Sequence, residues 1–237
     1  ERRSSKISMI YYSINDRPTE DISEYPDKRE YLRIFHHYEI MTWQNYYAWT
    51  EDHKNHLEYV LNENFKKNIF IKGFFFLEGG KKFNPIKQKK TIVCFPVTPT
   101  NPVVNIINQR HSNYTTYQNC RLFVEDIFNH FNNLDILVYF KLKREFNDQS
   151  NKEYNKFYNE ALKQNKFINL DPSTDLEDIL EKSDLIISAP FTSVSAIAKI
   201  NNKKTFYYDP TGTMNRENHK KAAYNVPIIF NLDDKII

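Results

Sequence analysis

The side chains best suited to chemistry in this sequence stand in four polar turns, each placed directly after a short apolar run. Thr192, Ser193 and Ser195 follow the run at 184–188 and the dipeptide Ala189-Pro190, where a helical pattern through Val194, Ile197 and Ala198 begins. Hydroxyls at a helix start, together with unpaired amides and the positive end of the helix dipole, favour a phosphate. Ser and Thr also cap helices that bind nothing, so this turn does not decide the matter alone. Its surroundings add weight. The run at 204–208 leads into Asp209-Pro210-Thr211-Gly212, and that at 91–95 into a loop carrying Thr98 and Asn101, polar groups suited to sugar or ribose hydroxyls. The run at 135–140 leads into Lys141-Leu142-Lys143-Arg144. These cations could neutralise a diphosphate or a carboxylate, at about 1.5–3 kcal/mol for each well-made charge-assisted hydrogen bond. The same residues also read as an ordinary solvated strand end.

The turns can meet only if the elements between them align. Apolar runs at 91–95, 135–140, 166–170, 184–188 and 204–208 read as buried strands. Helical patterns occupy 120–131, 153–164 and 173–182, the first with Leu122, Phe123, Ile127 and Phe131 expected inward. With the small helix after Ser193 the order is βαβαβαβαβ, which argues for an open, mostly parallel α/β sheet with helices on both faces. Right-handed crossovers then place all four turns on the carboxyl edge, where such sheets bind ligands. Upstream, 7–14 and 69–77 read as strands, and Thr50 as the N-cap of a helix with Leu57, Val60 and Leu61 on its apolar face. Gly79-Gly80 and the basic, proline-broken KKFNPIKQKK read as a boundary. The expected organisation is a partial or abbreviated N-terminal domain at 1–80, a linker at 81–90 and a second domain at 91–237.

Composition narrows the partners. Lys and Arg number 33 against 30 Asp and Glu, and a net charge of +3 is too small to indicate a nucleic-acid protein. Cys94 in a strand and Cys120 at a helix start have no metal-ligand spacing around them, which points to two reduced, partly buried thiols of a cytosolic protein. No apolar run approaches a membrane span, and the opening ERRSSKIS lacks a signal-peptide core. Paired carboxylates at metal-ligand spacing are also missing. Positive side chains and a helix dipole can neutralise a leaving phosphate without an ion, so metal-independent chemistry without a cofactor is expected.

The block SDLIISAPFTSVSAIAKINNKKTFYYDPTG, preceded by IVCFPVTPTN and FKLKR, resembles the C-terminal half of bacterial surface-carbohydrate glycosyltransferases of the two-Rossmann (GT-B) type. It is most similar to a surface polysaccharide biosynthesis family with SxPFTS and YYDPTG blocks, and more distantly to Kdo transferases and teichoic-acid polymerases. The resemblance covers residues 91–233 and touches YYAWTEDHKNHL and IFIKGFFF. It implies a Rossmann-like donor domain for a nucleotide-activated sugar of the CMP or CDP kind, with UDP as a further option, and a glycan or lipid-linked glycan acceptor. Thr192, Ser193 and Ser195 would hold the phosphate, Lys141, Lys143 and Arg144 would add charge, and Thr98, Asn101, Asp209 and Thr211 would touch sugar or ribose. The chain departs from related donor domains in having Lys-Leu-Lys-Arg where His-Pro often follows the second strand. The resemblance also implies work in the cytoplasm at the inner face of the membrane. A general base would come from the N-terminal half, where Asp16, Glu20, His36, His37, Glu39 and Asp52 are the candidates. Two alternatives stay open: a nucleotide-sugar epimerase or hydrolase of the same fold, and a non-catalytic binding or scaffold domain.

Overall fold

The computed structural model describes residues 7–10, 27–29, 32, 41–66, 68–73, 79–86, 88–103, 116–164, 166–214 and 225–233. The chain divides into two compact units, 1–77 and 78–237. In the first, β1 (Ser8–Ile10), β2 (Asn45–Ala48) and β3 (Ile69–Ile71) form a parallel sheet in the order β1-β2-β3. Between β2 and β3 lie α1 (Glu51–Val60) and the single turn α2 (Glu63–Lys66). The Thr50 hydroxyl accepts a hydrogen bond from the His53 amide at 3.2 Å and so starts α1, whose Leu57, Val60 and Leu61 are buried. The outer parts of the strands expected at 7–14 and 69–77 lie partly outside the described residues.

In the second unit the alternation resolves into β4 (Lys90–Phe95), α3 (Tyr117–Phe131), β5 (Ile136–Lys141), α4 (Lys152–Lys163) and β6 (Ile168–Leu170). There follow α5 (Leu176–Lys182), β7 (Leu185–Ser188), α6 (Ser193–Ile200), β8 (Thr205–Tyr208) and β9 (Ile228–Ile229). All six strands are parallel, in the order β6-β5-β4-β7-β8-β9. The chain winds outward from β4 in one direction and, after α5, returns to build outward from β7 in the other. This is the doubly wound Rossmann order, and its topological switch point lies between β4 and β7.

The alternation of side chains along each strand explains why helices cover both faces. Ile92, Cys94, Phe140, Ile187, Phe206 and Tyr208 join one core with Cys120, Phe123, Val124, Ile127 and Phe131 of α3 and Tyr154, Tyr158 and Ala161 of α4. On the opposite face, Ser188 bonds Ser195 of α6, and Tyr139 meets Phe83 edge to face at 5.2 Å. Leu122, expected inward, is 41% exposed, and Val124 takes the inward position. Helix α3 begins earlier than expected because Thr116 caps it, accepting from the Asn119 amide at 3.4 Å. Helix α5 begins later than expected, because Asp175 is its cap and Ser173 belongs to the preceding turn.

Residues 81–86, expected as linker, lie as a strap along the second unit. The Lys81 amide donates to the Ser173 carbonyl and the Asp175 amide donates to the Lys81 carbonyl, each at 2.9 Å. The Phe83 ring is 2% exposed, its amide donates to Asp178 Oδ2 at 2.5 Å, and its carbonyl accepts from Lys182 Nζ at 2.7 Å. Lys81 adds an ion pair with Asp171. Gly80 lets the strap come this close: a Cβ there would stand 2.5 Å from the Ser173 carbonyl oxygen, on a backbone with φ of +155°.

Candidate functional site

Because the sheet is parallel, all four polar turns leave carboxyl strand ends on the same edge. The turn after β7 stands at the switch point. The Thr192 amide donates to the Ala189 carbonyl at 3.4 Å, which closes a β-turn with Pro190 second and Phe191 third. Pro favours that second position, while the third needs a positive φ and normally takes Gly. Here it is Phe191, at φ +59°. A bulky side chain in the left-handed region costs about 1–2 kcal/mol and persists only where the surroundings hold it. Phe191 is held by burial: its ring is 8% exposed, packs with Met214, Ile228 and Phe230, and lies 6.0 Å from the Tyr207 ring.

This turn has a consequence for α6. Thr192 is its N-cap residue but makes no side-chain cap bond, because the hydroxyl donates back to the Ala189 carbonyl at 3.1 Å. The first-turn amides of α6 therefore receive no side-chain acceptor from their own cap. Tyr207 adds a lock from the sheet, its hydroxyl donating to the Thr192 carbonyl at 3.1 Å. Thr192 and Ser193 are half-buried at this helix start. Ser195 is not available beside them. It is fully buried, with its hydroxyl 2.6 Å from that of Ser188 and 3.4 Å from the Phe206 carbonyl, so it ties α6 to β7 and β8.

The turn after β8 is built by its own aspartate. Asp209 is fully buried and accepts from the Thr211 amide at 3.0 Å, the Thr211 hydroxyl at 2.6 Å and the Met214 amide at 2.8 Å. Three of the roughly four acceptor positions of this carboxylate are thus used inside its own turn. The Thr211 hydroxyl lies a further 2.7 Å from that of Thr213.

The remaining called residues lie towards β5. Lys141 ends that strand and donates from Nζ to the Pro172 carbonyl at 2.8 Å, and burial lowers the pKa of its ammonium. Lys143 and Arg144 are exposed just beyond it. Since β4 separates β5 from β7, these cations leave the sheet about 10 Å from the Phe191 turn. Thr98 is half-buried after β4, whereas Asn101 is drawn aside: its amide donates to the Gln149 carbonyl at 2.8 Å and its side-chain oxygen accepts from Val103 at 3.1 Å. Asp16, Glu20, His36, His37 and Glu39 lie outside the described residues, as does the side chain of Asp52. Among the described residues, no group of His, Cys, Asp and Glu is arranged to hold a metal ion.

Between the β4, β7 and β8 turns and the first turns of α3 lies a small depression in the surface. Its walls include Val97, Phe123, Ala189, Pro190 and Tyr208, with Asn119, Asp209 and Thr211 as polar members. The sequence did not point to Asn119, because a lone amide in the first turn of an amphipathic helix carries no periodic signal. Cys120 also lines this depression, and burial pushes its thiol up to about 12. Tyr208 contributes its ring, and its hydroxyl is held by Asp126 Oδ2 at 2.8 Å.

Strand order and switch-point turn together define a doubly wound Rossmann-type unit. The chain matches the model of the polysaccharide biosynthesis PFTS motif family over residues 1–235 and belongs to that family. Pro190, Phe191, Thr192 and Ser193 spell those four letters in this sequence. No curated protein matches significantly. Among solved structures the chain is similar to TarM, at 13% identity and a TM-score of 0.44, covering 99% of this chain and 42% of that one. It is likewise similar to a mutant of S. aureus TarM in complex with fondaparinux, alpha-GlcNAc-glycerol and UDP, at 13% identity and a TM-score of 0.43, covering 97% and 41%. A third likeness is to KpsC of Thermosulfurimonas dismutans, a beta Kdo 2,4 transferase, at 9% identity and a TM-score of 0.32, covering 55% and 38%. The chain spans about two-fifths of the length of each of these structures. No helix among the described residues is long and apolar enough to cross a membrane.

Proposed function

We propose that the second unit is the donor-binding part of a GT-B glycosyltransferase, which moves a sugar from a nucleotide-activated donor to a growing cell-surface polysaccharide or lipopolysaccharide. The observation that carries this reading is the start of α6: a strained, buried turn at the switch point whose cap hydroxyl is turned away from the helix amides. Main-chain amides of α6 and the Ser193 hydroxyl hold the donor phosphate, as helix starts in this fold do. Lys143 and Arg144 approach from β5 and offset the charge that develops on the leaving nucleotide. Asn119 and Thr98 offer polar contacts at the depression and loop for ribose or sugar. Family membership in polysaccharide biosynthesis agrees with a glycan acceptor. CMP or CDP is the favoured carrier, from the likeness of the PFTS and YYDPTG blocks to donor domains that use them. The first unit supplies the acceptor side and the general base, and the transfer proceeds without a metal ion.

The test is a thermal-shift and calorimetric screen of the chain against CMP, CDP, UDP and GDP and their sugar conjugates, with Ser193→Ala and Lys143→Ala alongside. A ligand at a hundred times its Kd adds about 2.7 kcal/mol of stability. Selective stabilisation by one nucleotide, lost in both variants and retained in excess chelator, is the expected outcome. Absence of binding by every nucleotide would remove the donor reading and bring the scaffold alternative forward. Binding abolished by chelator would overturn metal independence alone.

A further inference from the structure

The turn at 190–193 does not hold its shape by itself. A turn with a positive φ at its third residue forms readily when that residue is Gly, but Phe191 stands there at φ +59° and is strained in isolation. Its conformation therefore depends on what holds the ring. The ring packs with Met214, Ile228 and Phe230 and lies 6.0 Å from that of Tyr207. All of these neighbours come from later in the chain: Tyr207 from β8, Met214 from beyond the turn that follows it, and Ile228 and Phe230 from β9 and its end.

Met214 is the joint among them. It lies outside both the PFTS and the YYDPTG blocks, and no spacing in the sequence singles it out. Its side chain is buried against Phe191, and its amide donates to Asp209 Oδ2 at 2.8 Å. Gly212, at φ +67°, reverses the chain between the two and so brings the Met214 amide back to the carboxylate. Asp209 is itself anchored to β9, its amide donating to the Ile229 carbonyl at 2.9 Å. Contacts thus run without a break from Asp209 through Met214 to Phe191, and through the turn that Phe191 completes to Thr192 at the start of α6.

Burial of the Phe191 ring alone would be satisfied by any apolar neighbour. The arrangement on this rim is narrower, because a residue type that opposes its own backbone conformation is held by a side chain whose backbone is in turn held by a buried carboxylate. Relaxation of Phe191 to a negative φ would swing the Thr192 peptide away from two partners. One is the Ala189 carbonyl, which accepts from the Thr192 amide at 3.4 Å; the other is the Tyr207 hydroxyl, which donates to the Thr192 carbonyl at 3.1 Å.

We propose that Met214 and Asp209 are positioning residues for the start of α6. Met214 wedges Phe191 into its left-handed conformation, Asp209 fixes Met214, and the turns after β7 and β8 order together. A group bound at either turn then stiffens the other. What the α6 start binds rests on the donor reading; the coupling does not, and it is measured with no ligand present.

The experiment is amide hydrogen exchange of the full chain followed by NMR. The Thr192 amide reports closure of the turn, and amides of the central strand β4 report global stability. Met214→Ala, Phe191→Ala and Asp209→Ala should each speed exchange at Thr192 by about five- to thirtyfold relative to β4, the factor that matches release of one strained residue. Met214→Leu, which keeps the volume of the wedge, should exchange as the parent does. Phe191→Gly should also stay protected at Thr192, because Gly adopts the left-handed conformation without support, and adding Met214→Ala to it should change nothing further. Circular dichroism of each variant confirms that it is folded. Parental protection of Thr192 in folded Met214→Ala would overturn the proposal. So would equal acceleration at Thr192 and β4 in every variant, which would reduce the contacts to general core packing, or exchange in Phe191→Gly as fast as in Phe191→Ala. The nucleotide screen reads the donor site separately: a chain that binds no nucleotide but shows the expected exchange pattern loses the donor reading and keeps the coupling.

Discussion

Asp209 shows how a buried carboxylate can build the turn that holds it. Its three hydrogen bonds fold the turn that closes one side of the depression. Asp209→Ala strands the buried Met214 amide and the Thr211 donors, at about 1–3 kcal/mol for each donor left unsatisfied. Urea denaturation should therefore show a clear fall in midpoint, with part of it recovered in Asp209→Asn, which keeps an acceptor oxygen. A ligand-contact role alone would leave the midpoint unchanged. The sequence told that Asp209, Thr211 and the hydroxyls after β7 belong to one edge, since spacing of strands and turns decides that. It could not tell which groups turn inward. Ser193 and Ser195 are equivalent by composition, yet two positions along a helix is a rotation of about 200°, so one lies at the half-buried start and the other under the sheet.

At the scale of elements, the strap at 81–86 was the least legible part of the chain. Lysines, Pro and paired glycines looked like solvated linker, and only Phe83, one aromatic residue among polar ones, marked the contact that holds it. Gly80→Ala places a Cβ against the backbone of Ser173 and Asp175, and it should lower the unfolding midpoint and speed proteolysis within 79–86. The strap also has a pH signature. Lys182 and the Phe83 amide hold the Asp178 carboxyl below its usual range. A carboxylate with a depressed folded pKa contributes stability that is present above its ordinary value of 3.8 and is lost as pH falls through the lower folded value. The unfolding midpoint should thus drop more between pH 5 and pH 2 in the parent chain than in Asp178→Asn; equal slopes would separate the carboxylate from strap docking. Strand β9 was missed for a different reason. Two residues are too few for any periodicity, and their pairing is dictated by β8.

At the scale of the whole molecule, the alternating pattern made the second unit readable as a parallel α/β sheet, because buried parallel strands are short apolar runs separated by helices of fixed length. Strand order was not readable, since each run would fit any central position. The same burial that makes the pattern visible silences its thiols. Cys94 is fully buried in β4 and Cys120 lies on the buried face of α3, and burial raises both thiols. A thiol-reactive dye at pH 8 should label neither in the native chain and both after denaturation. Rapid native labelling of Cys120 would mean that the wall of the depression opens in solution. The turn of Pro190 to Ser193 has one further consequence, which concerns time. With Phe191 already buried and Tyr207 already bonded to Thr192, the start of α6 is fixed by the fold itself. The entropy of ordering that loop was lost during folding, so on the proposed donor reading capture of a phosphate there would need no slow rearrangement and would run at the rate of encounter.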